Sequence, residues 1–217
     1  MSTVSNYRTQ SVVIDRLIEV GAEFESYPVG FNAISWLLDD PLYEEVDLVD
    51  LTGCGVGDGF LPILTELPAL DTLSLQGCPV SSSGLSVLPE LHSLEWLDLL
   101  GTPVGDAACA HIANLQNLEW LSLEATTVGD EGLLKLSTLP RLKVLWLSKT
   151  LITDDGVRAF SKHATLEQLS LDHCNVSDRS LEALRGCPQL RYVGVEATRV
   201  QDRAIEAFSV AGRRASK

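Results

Sequence analysis

Residues 46–59 read VDLVDLTGCGVGDG. A short apolar run precedes Gly53, Gly55, Gly57 and Gly59, with Asp58 among them. Taken alone, this is a strand entering a glycine-rich turn at the start of a helix, as a nucleotide or S-adenosylmethionine site would begin. That interpretation requires the stretch to be unique. Instead the same frame returns as LSLQGCPVSSSG, LDLLGTPVGDAA and LSLEATTVGDEG. Gly53 becomes Ala125, and Gly55 becomes Pro79 and Thr127. A phosphate cradle built on glycine backbone would not survive those replacements, whereas a repeated structural turn does.

The repeat has a fixed period. Leu70, Leu94, Leu118, Leu142, Leu166 and Leu190 are spaced by 24 residues, and Val46 extends the series backwards. With these residues as position 1, seven units follow. Positions 4 and 6 are Val or Leu in every unit, from Val49 and Leu51 to Val193 and Val195. Position 9 is Cys or Thr, position 11 is Val or Ile, and position 13 is Asp except at Ser82. Positions 16, 19 and 22 are apolar with few exceptions, His163 being the clearest.

Stretches such as LWLSKTLITDDGV, LSLDHCNVSDRSL and GCPQL give the chain its likeness to a known family. Over roughly residues 46–208 it resembles the leucine-rich repeat family, most of all the cysteine-containing class and its bacterial relatives. The physics of each position agrees. Alternation over positions 3 to 7 predicts a short strand with 4 and 6 pointing inward. Position 9 turns the chain, and Asp at position 13 is expected to cap a short helix. Positions 16 and 19 share one helical face. One unit cannot bury that face alone, so the units stack on a continuous core. The expected fold is α/β, a right-handed solenoid with a parallel concave sheet, short convex helices and a helical N-terminal cap.

Residues 1–45 fall outside the repeat and are expected to form that cap. Val13, Ile14, Leu17 and Ile18 mark a helical stripe within Gln10–Gly21, Ala22–Pro28 reads as extended, and Asn32–Asp39 as a second short helix with Trp36 in the core. At the other end, residues 209–217 read as a basic, disordered tail. The strand at Leu190–Glu196 would then be the sheet edge, guarded by Arg191, Glu196 and Arg199.

Composition narrows the partners. The formal net charge is −14, which disfavours nucleic acid, since phosphate binding wants a basic stripe. Residues 1–140 hold 21 acidic and 3 basic side chains, whereas residues 141–217 hold 9 and 13. The acidic front half is suited to a basic partner. No apolar run is long enough to cross a membrane, and the N-terminus has no secretory pattern. The five cysteines form no C-x-x-C pair, and the expected setting is reduced and cytoplasmic. Cys54, Cys78 and Cys174 at position 9, Cys109 at 16 and Cys187 at 22 are expected to be buried and structural. The four histidines fall at four different repeat positions, so no metal site is expected.

Function would sit on the exposed strand columns. Position 3 reads Leu48, Thr72, Trp96, Trp120, Val144, Gln168, Tyr192; position 5 reads Asp50, Ser74, Asp98, Ser122, Trp146, Ser170, Gly194. Position 7 reads Thr52, Gln76, Leu100, Glu124, Ser148, Asp172, Glu196. Trp96, Trp120 and Trp146 should form an exposed aromatic cluster on neighbouring strands, bordered by Leu100. Asp50, Asp98, Glu124 and Asp172 would rim it, with Tyr192 further along. This is the pattern of a protein-binding hot spot, and the carboxylates and indole faces both favour Lys or Arg. Asp50 and Asp98 share a column but lie about 10 Å apart by strand spacing. An open face gives neither the closed cleft nor the shifted carboxyl that paired-acid catalysis needs. The sequence therefore predicts a non-enzymatic module without a cofactor that binds a basic protein or peptide, as a monomer or weak homo-oligomer. Two alternatives are a self-associating structural protein and the substrate-recognition part of a ubiquitin-ligase-type assembly. Cysteine-type repeats often follow an F-box, so the resemblance implies the latter where an F-box adjoins, but the opening Leu-Pro and basic-aromatic tail of that motif are missing from residues 1–45.

Overall fold

The computed structural model describes residues 12–28, 44–209 and 213–217. A helix at 12–19 leads into β1 (Glu23–Pro28). Then come β2 (Glu44–Asp50), β3 (Thr72–Ser74), β4 (Trp96–Asp98), β5 (Trp120–Ser122), β6 (Val144–Trp146), β7 (Gln168–Ser170), β8 (Tyr192–Gly194) and β9 (Arg214–Ser216). They form one sheet in chain order, with β1 antiparallel to β2 and the later neighbours parallel. Thr72 pairs with Trp96, Trp96 with Trp120 and Trp120 with Val144, so the sequence period is the sheet register.

The regular strands are shorter than the alternation predicts, ending at position 5 after β2. Every second backbone bond nevertheless continues. Leu75 N–H donates to Asp98 O at 2.9 Å, and Gly77 N–H to Leu100 O at 2.9 Å. Position 8 then turns the chain with positive φ in all units: 69° at Gly53, 68° at Gly77 and Gly101, 54° at Ala125, 60° at Lys149, 59° at His173 and 52° at Ala197. Glycine is at ease there, and the later units hold other residues in a conformation they disfavour.

Position 9 closes the turn in two ways. The Thr102, Thr126 and Thr150 hydroxyls donate to the position-6 carbonyl of their own unit, at 2.7, 2.6 and 2.6 Å. The thiols of Cys78 and Cys174 donate to the position-6 carbonyl of the preceding unit, at 3.0 and 3.1 Å. Cys54 has no preceding repeat. It is only half-buried, against the expectation of five buried cysteines, and lies 3.6 Å from Gly21 O.

The convex side carries 3-10 turns at Asp58–Glu66 and Gly84–Glu90, each containing a proline, Pro62 or Pro89. Proline removes a backbone donor and disfavours the α form there. Later units carry α-helices at Asp106–Ile112, Asp130–Leu136, Asp154–Val157, Asp178–Leu184 and Asp202–Ser209. The predicted cap role of position 13 is corrected. These aspartates stand at the first helical residue and reach into the next repeat. Asp58 Oδ1 accepts from Ser81 N–H at 2.7 Å, Asp106 Oδ1 from Gly129 N–H at 2.7 Å, Asp130 Oδ1 from Thr153 N–H at 2.8 Å and Asp154 Oδ1 from Ser177 N–H at 2.8 Å. Asp178 holds Gln201 N–H at 2.7 Å, and Ser82 does the same for Gly105 N–H at 3.1 Å. Position 13 is thus a clasp between repeats.

At the front end, Val13 and Leu17 of the 12–19 helix join the core, while Ile18 is exposed. The predicted second helix and Trp36 lie outside the described residues. At the rear, residues 214–216 of the expected disordered tail form a strand, while 210–212 lie outside the described residues. Arg214–Ser216 pairs with β8, through Arg214 N–H to Arg191 O at 2.7 Å and Val195 N–H to Ser216 O at 2.9 Å. Arg213 donates to Cys187 O at 2.8 Å and lies 5.6 Å from the Phe208 ring centre, and Lys217 reaches Asp202 at 2.7 Å. β9, not β8, is therefore the edge of the sheet.

His163 sits at position 22, among leucines. It is buried and stacked on Phe160 with ring centres 4.9 Å apart. Its Nε2 lies 3.1 Å from Leu139 O, so Nε2 carries the proton in the neutral ring, and Nδ1 is buried without a partner among the described residues. Burial holds its pKa below the usual histidine value, although the Leu139 carbonyl pulls the other way. A histidine with a lowered folded pKa contributes stability that is present above about pH 6.5 and lost as pH falls through the folded value. Urea midpoints should therefore drop between neutral pH and pH 5. In His163→Leu, that part of the drop should vanish. An unchanged pH profile in the variant would assign the drop elsewhere.

Candidate functional site

Outward side chains of β4, β5 and β6 meet on the face opposite the helices. Residues 96, 120 and 144 align across the sheet, as do 98, 122 and 146. Alternation therefore places the predicted tryptophans side by side. The Trp96 and Trp120 rings stack with centres 4.1 Å apart and planes 10° apart. Trp146 meets Trp120 edge-on, at 4.9 Å and 68°. Trp146 keeps 38% of its surface exposed, and the other two are half-buried.

Asp98 lies beside them, and only 9% of its surface is exposed. Its Oδ1 accepts Leu100 N–H at 2.9 Å. Burial pushes its carboxyl above the usual range; Leu100 N–H and the Ser122 hydroxyl pull it down, and the Asp50 charge adds to the rise. Ser122 is fully buried, and its Oγ favours the nearby anion without completing a hydrogen bond among the described residues. Asp50 is half-buried and accepts Thr52 N–H at 2.8 Å. Leu100 and Glu124 are also half-buried on this face.

Two predicted members stand apart. Asp172 lies on the far side of Trp146 and uses both oxygens internally. Glu196 N–H donates to Oδ1 at 2.6 Å and Ser170 Oγ to Oδ2 at 2.9 Å. A Cβ at Gly194 would come within 2.9 Å of that carboxylate, so glycine there leaves it room. Tyr192 lies on β8, two strands beyond Trp146, with its hydroxyl 2.7 Å from Ser216 Oγ. Ser122 was not singled out as a site residue. The signal available was its place in column 5 between Asp98 and Trp146.

A second concavity of about 580 Å³ opens where the chain enters β3 and β4, lined in part by Asp71, Ser93, Glu95, Asn117 and Arg141. Arg141 lies 3.6 Å from Glu119, which Lys143 also contacts. Among the described residues no group of His, Cys, Asp and Glu is arranged to hold a metal, and no helix is long and apolar enough to cross a membrane.

A family model described as Leucine Rich repeat matches residues 162–184. The fold is also that of solved internalins. An internalin C2 (inlC2) from Listeria monocytogenes str. 4b F2365 aligns at a TM-score of 0.59 and 22% identity, over 72% of this chain and 74% of that one. The chain therefore has the leucine-rich repeat solenoid fold. An internalin (inlF) from the same strain aligns at a TM-score of 0.52 and 20% identity, over 70% of this chain but only 49% of that one. No curated protein matches the sequence. In this leucine-rich repeat solenoid the tryptophan cluster occupies the strand face, built by three successive repeats.

Proposed function

We propose that the chain is a non-enzymatic module that binds a basic protein or peptide on its strand face. The observation that carries this reading is the packed, partly exposed group of Trp96, Trp120 and Trp146 beside the carboxylates of Asp50, Asp98 and Glu124. Large rigid rings give contact area at low entropic cost, and carboxylates around them steer a cationic partner. No Lys or Arg lies within β2 to β5 to compete. The test is partner capture from native extract with the wild type and with a Trp96→Ala/Trp120→Ala/Trp146→Ala variant. Capture should be lost in the variant while its helical and sheet signals and its cooperative unfolding persist. Capture that survives the triple change removes this reading, and the rings are then a sheet-stabilising ladder.

The charge division favours one other reading, in which the acidic front half of one copy docks on the basic rear half of another. Sedimentation at low and high salt separates the two. A salt-sensitive oligomer supports self-association, and a monomer at all salt concentrations removes it.

A further inference from the structure

The geometry of the rings limits what can bind. Trp96 touches Trp120, and Trp120 touches Trp146, at 4.1 and 4.9 Å between centres. No slot remains between neighbouring rings for a ligand group. A quaternary ammonium enclosed on several sides is therefore excluded, and a partner must pack on the outer indole surfaces. Beside these, column 5 holds a nearly buried carboxylate that meets no cation among the described residues. Asp98 is more than nine-tenths buried; its Oδ1 accepts Leu100 N–H, and the nearby Ser122 hydroxyl also favours its anion. Ser122, its direct neighbour across the sheet, is fully buried, and its Oγ completes no hydrogen bond among the described residues. A nearly buried carboxylate without a cation is unfavourable in the free protein.

Among the described residues no cation neutralises Asp98. β2 to β5 contain no Lys or Arg. Lys143, the cation at the start of β6, is committed to Glu119. Burial and the Asp50 charge both disfavour the Asp98 anion, so an incoming cation would find an acceptor that gains from neutralisation.

Resting on the strand-face reading above, we propose that this site selects an arginine side chain of the partner, with the guanidinium laid on the exposed indole surface and its N–H fork donating to the Asp98 carboxylate. Arginine fits for three physical reasons. Its guanidinium is planar and stacks on an indole face. It carries five N–H donors in a fixed fork that matches the two oxygens of a carboxylate. It is more weakly hydrated than an ammonium, so less is lost when it leaves water for a nearly buried carboxylate. Lysine brings a compact, strongly hydrated charge that satisfies one acceptor and stacks poorly. The donors of citrulline are similar in shape but carry no charge.

The test titrates the full chain with capped Gly-Arg-Gly and its Lys and citrulline counterparts, followed by tryptophan fluorescence. The Arg peptide should bind about tenfold tighter than the citrulline peptide and several-fold tighter than the Lys peptide. Asp98→Asn keeps an acceptor for Leu100 N–H and should abolish the difference between Arg and citrulline. Glu90→Gln, on the convex side, should leave that difference intact. Equal binding of Arg and Lys, an Arg preference that survives Asp98→Asn, or no binding of any of the peptides at about 10 mM would each overturn the inference. Partner capture separates this from the parent reading. If the triple tryptophan variant loses capture but the Arg preference is absent, the strand face binds by other chemistry. If capture survives the triple variant, both readings fail.

Discussion

Gly156→Ala should lower stability by about 3 kcal/mol, roughly 6–12 °C in Tm for a chain of this size. A Cβ at Gly156 would lie 2.3 Å from Asp130 Oδ1, 2.9 Å from its Cγ and 3.0 Å from its Cα. Asp130 cannot move freely, because it holds Thr153 N–H at 2.8 Å and the Thr153 hydroxyl at 2.6 Å. Alanine is the better helix former by about 1 kcal/mol. That gain is outweighed by overpacking plus the loss of charge-assisted bonds, each worth about 1–3 kcal/mol. Asp130→Ser on its own loses part of the clasp. Combined with Gly156→Ala it should restore stability above the additive expectation by about 1 kcal/mol or more. The chain already contains a version of this pair, since Ser82 clasps the next repeat where Ala108 takes the place of glycine. Gly59→Ala is the control: its Cβ would meet nothing within 4 Å, and the change should stay within about 0.5 kcal/mol. Unfolding in urea measures all four variants. Equal effects of Gly156→Ala and Gly59→Ala would refute the clasp.

The clasp is a property of the stack. Asp58 faces Gly84, Asp106 faces Gly132 and Asp130 faces Gly156, each with a virtual Cβ contact under 3.0 Å. Ser180 completes the set differently, donating its hydroxyl to Asp154 Oδ1 at 2.6 Å. Hydrogen bonds from Ser81 hold the Asp58 carboxyl below its usual range. At Asp154 burial raises the carboxyl, but bonds from Ser177 and Ser180 outweigh it and the net shift is downward. In a solenoid each unit contacts only its neighbours, so a failed interface divides the core.

The sheet and its register could be read from the 24-residue period, because inward Val and Leu at positions 4 and 6 obey the alternation of any strand. The same alternation placed Trp96, Trp120 and Trp146 on one face. The clasp was missed because an aspartate before a helix has a familiar local role, while its real partner lies 23 residues further on. The small residues at position 15, Gly84, Ala108, Gly132, Gly156 and Ser180, were the available signal of a close approach. β9 was hidden for another reason. Arg214 stands opposite Tyr192, so the last step is 22 residues, and no leucine marks it. Ser122 could be placed in its column, but its full burial, like the ring orientations of the tryptophans, is encoded in no spacing.

Those orientations make Trp120→Ala and Trp146→Ala differ in opposite directions. Trp120 is half-buried and belongs to both ring contacts, stacked on Trp96 and edge-on to Trp146. Its loss removes two aromatic pairs, each worth about 0.5–1.5 kcal/mol, together with apolar burial, for about 3 kcal/mol of stability. Trp146 makes one ring contact and keeps 38% of its surface exposed, so its truncation should cost about 1 kcal/mol. Partner affinity should rank the other way per unit of stability lost. An exposed aromatic at the centre of a contact typically contributes about 2 kcal/mol or more, a loss of about thirtyfold in Kd. Trp146→Ala should therefore bind at least that much more weakly while unfolding almost as the wild type does. If its affinity falls only in proportion to its stability, the indoles serve the sheet alone. A strong binding defect with near-native unfolding separates the exposed ring that meets a partner from the inner pair that holds it in place.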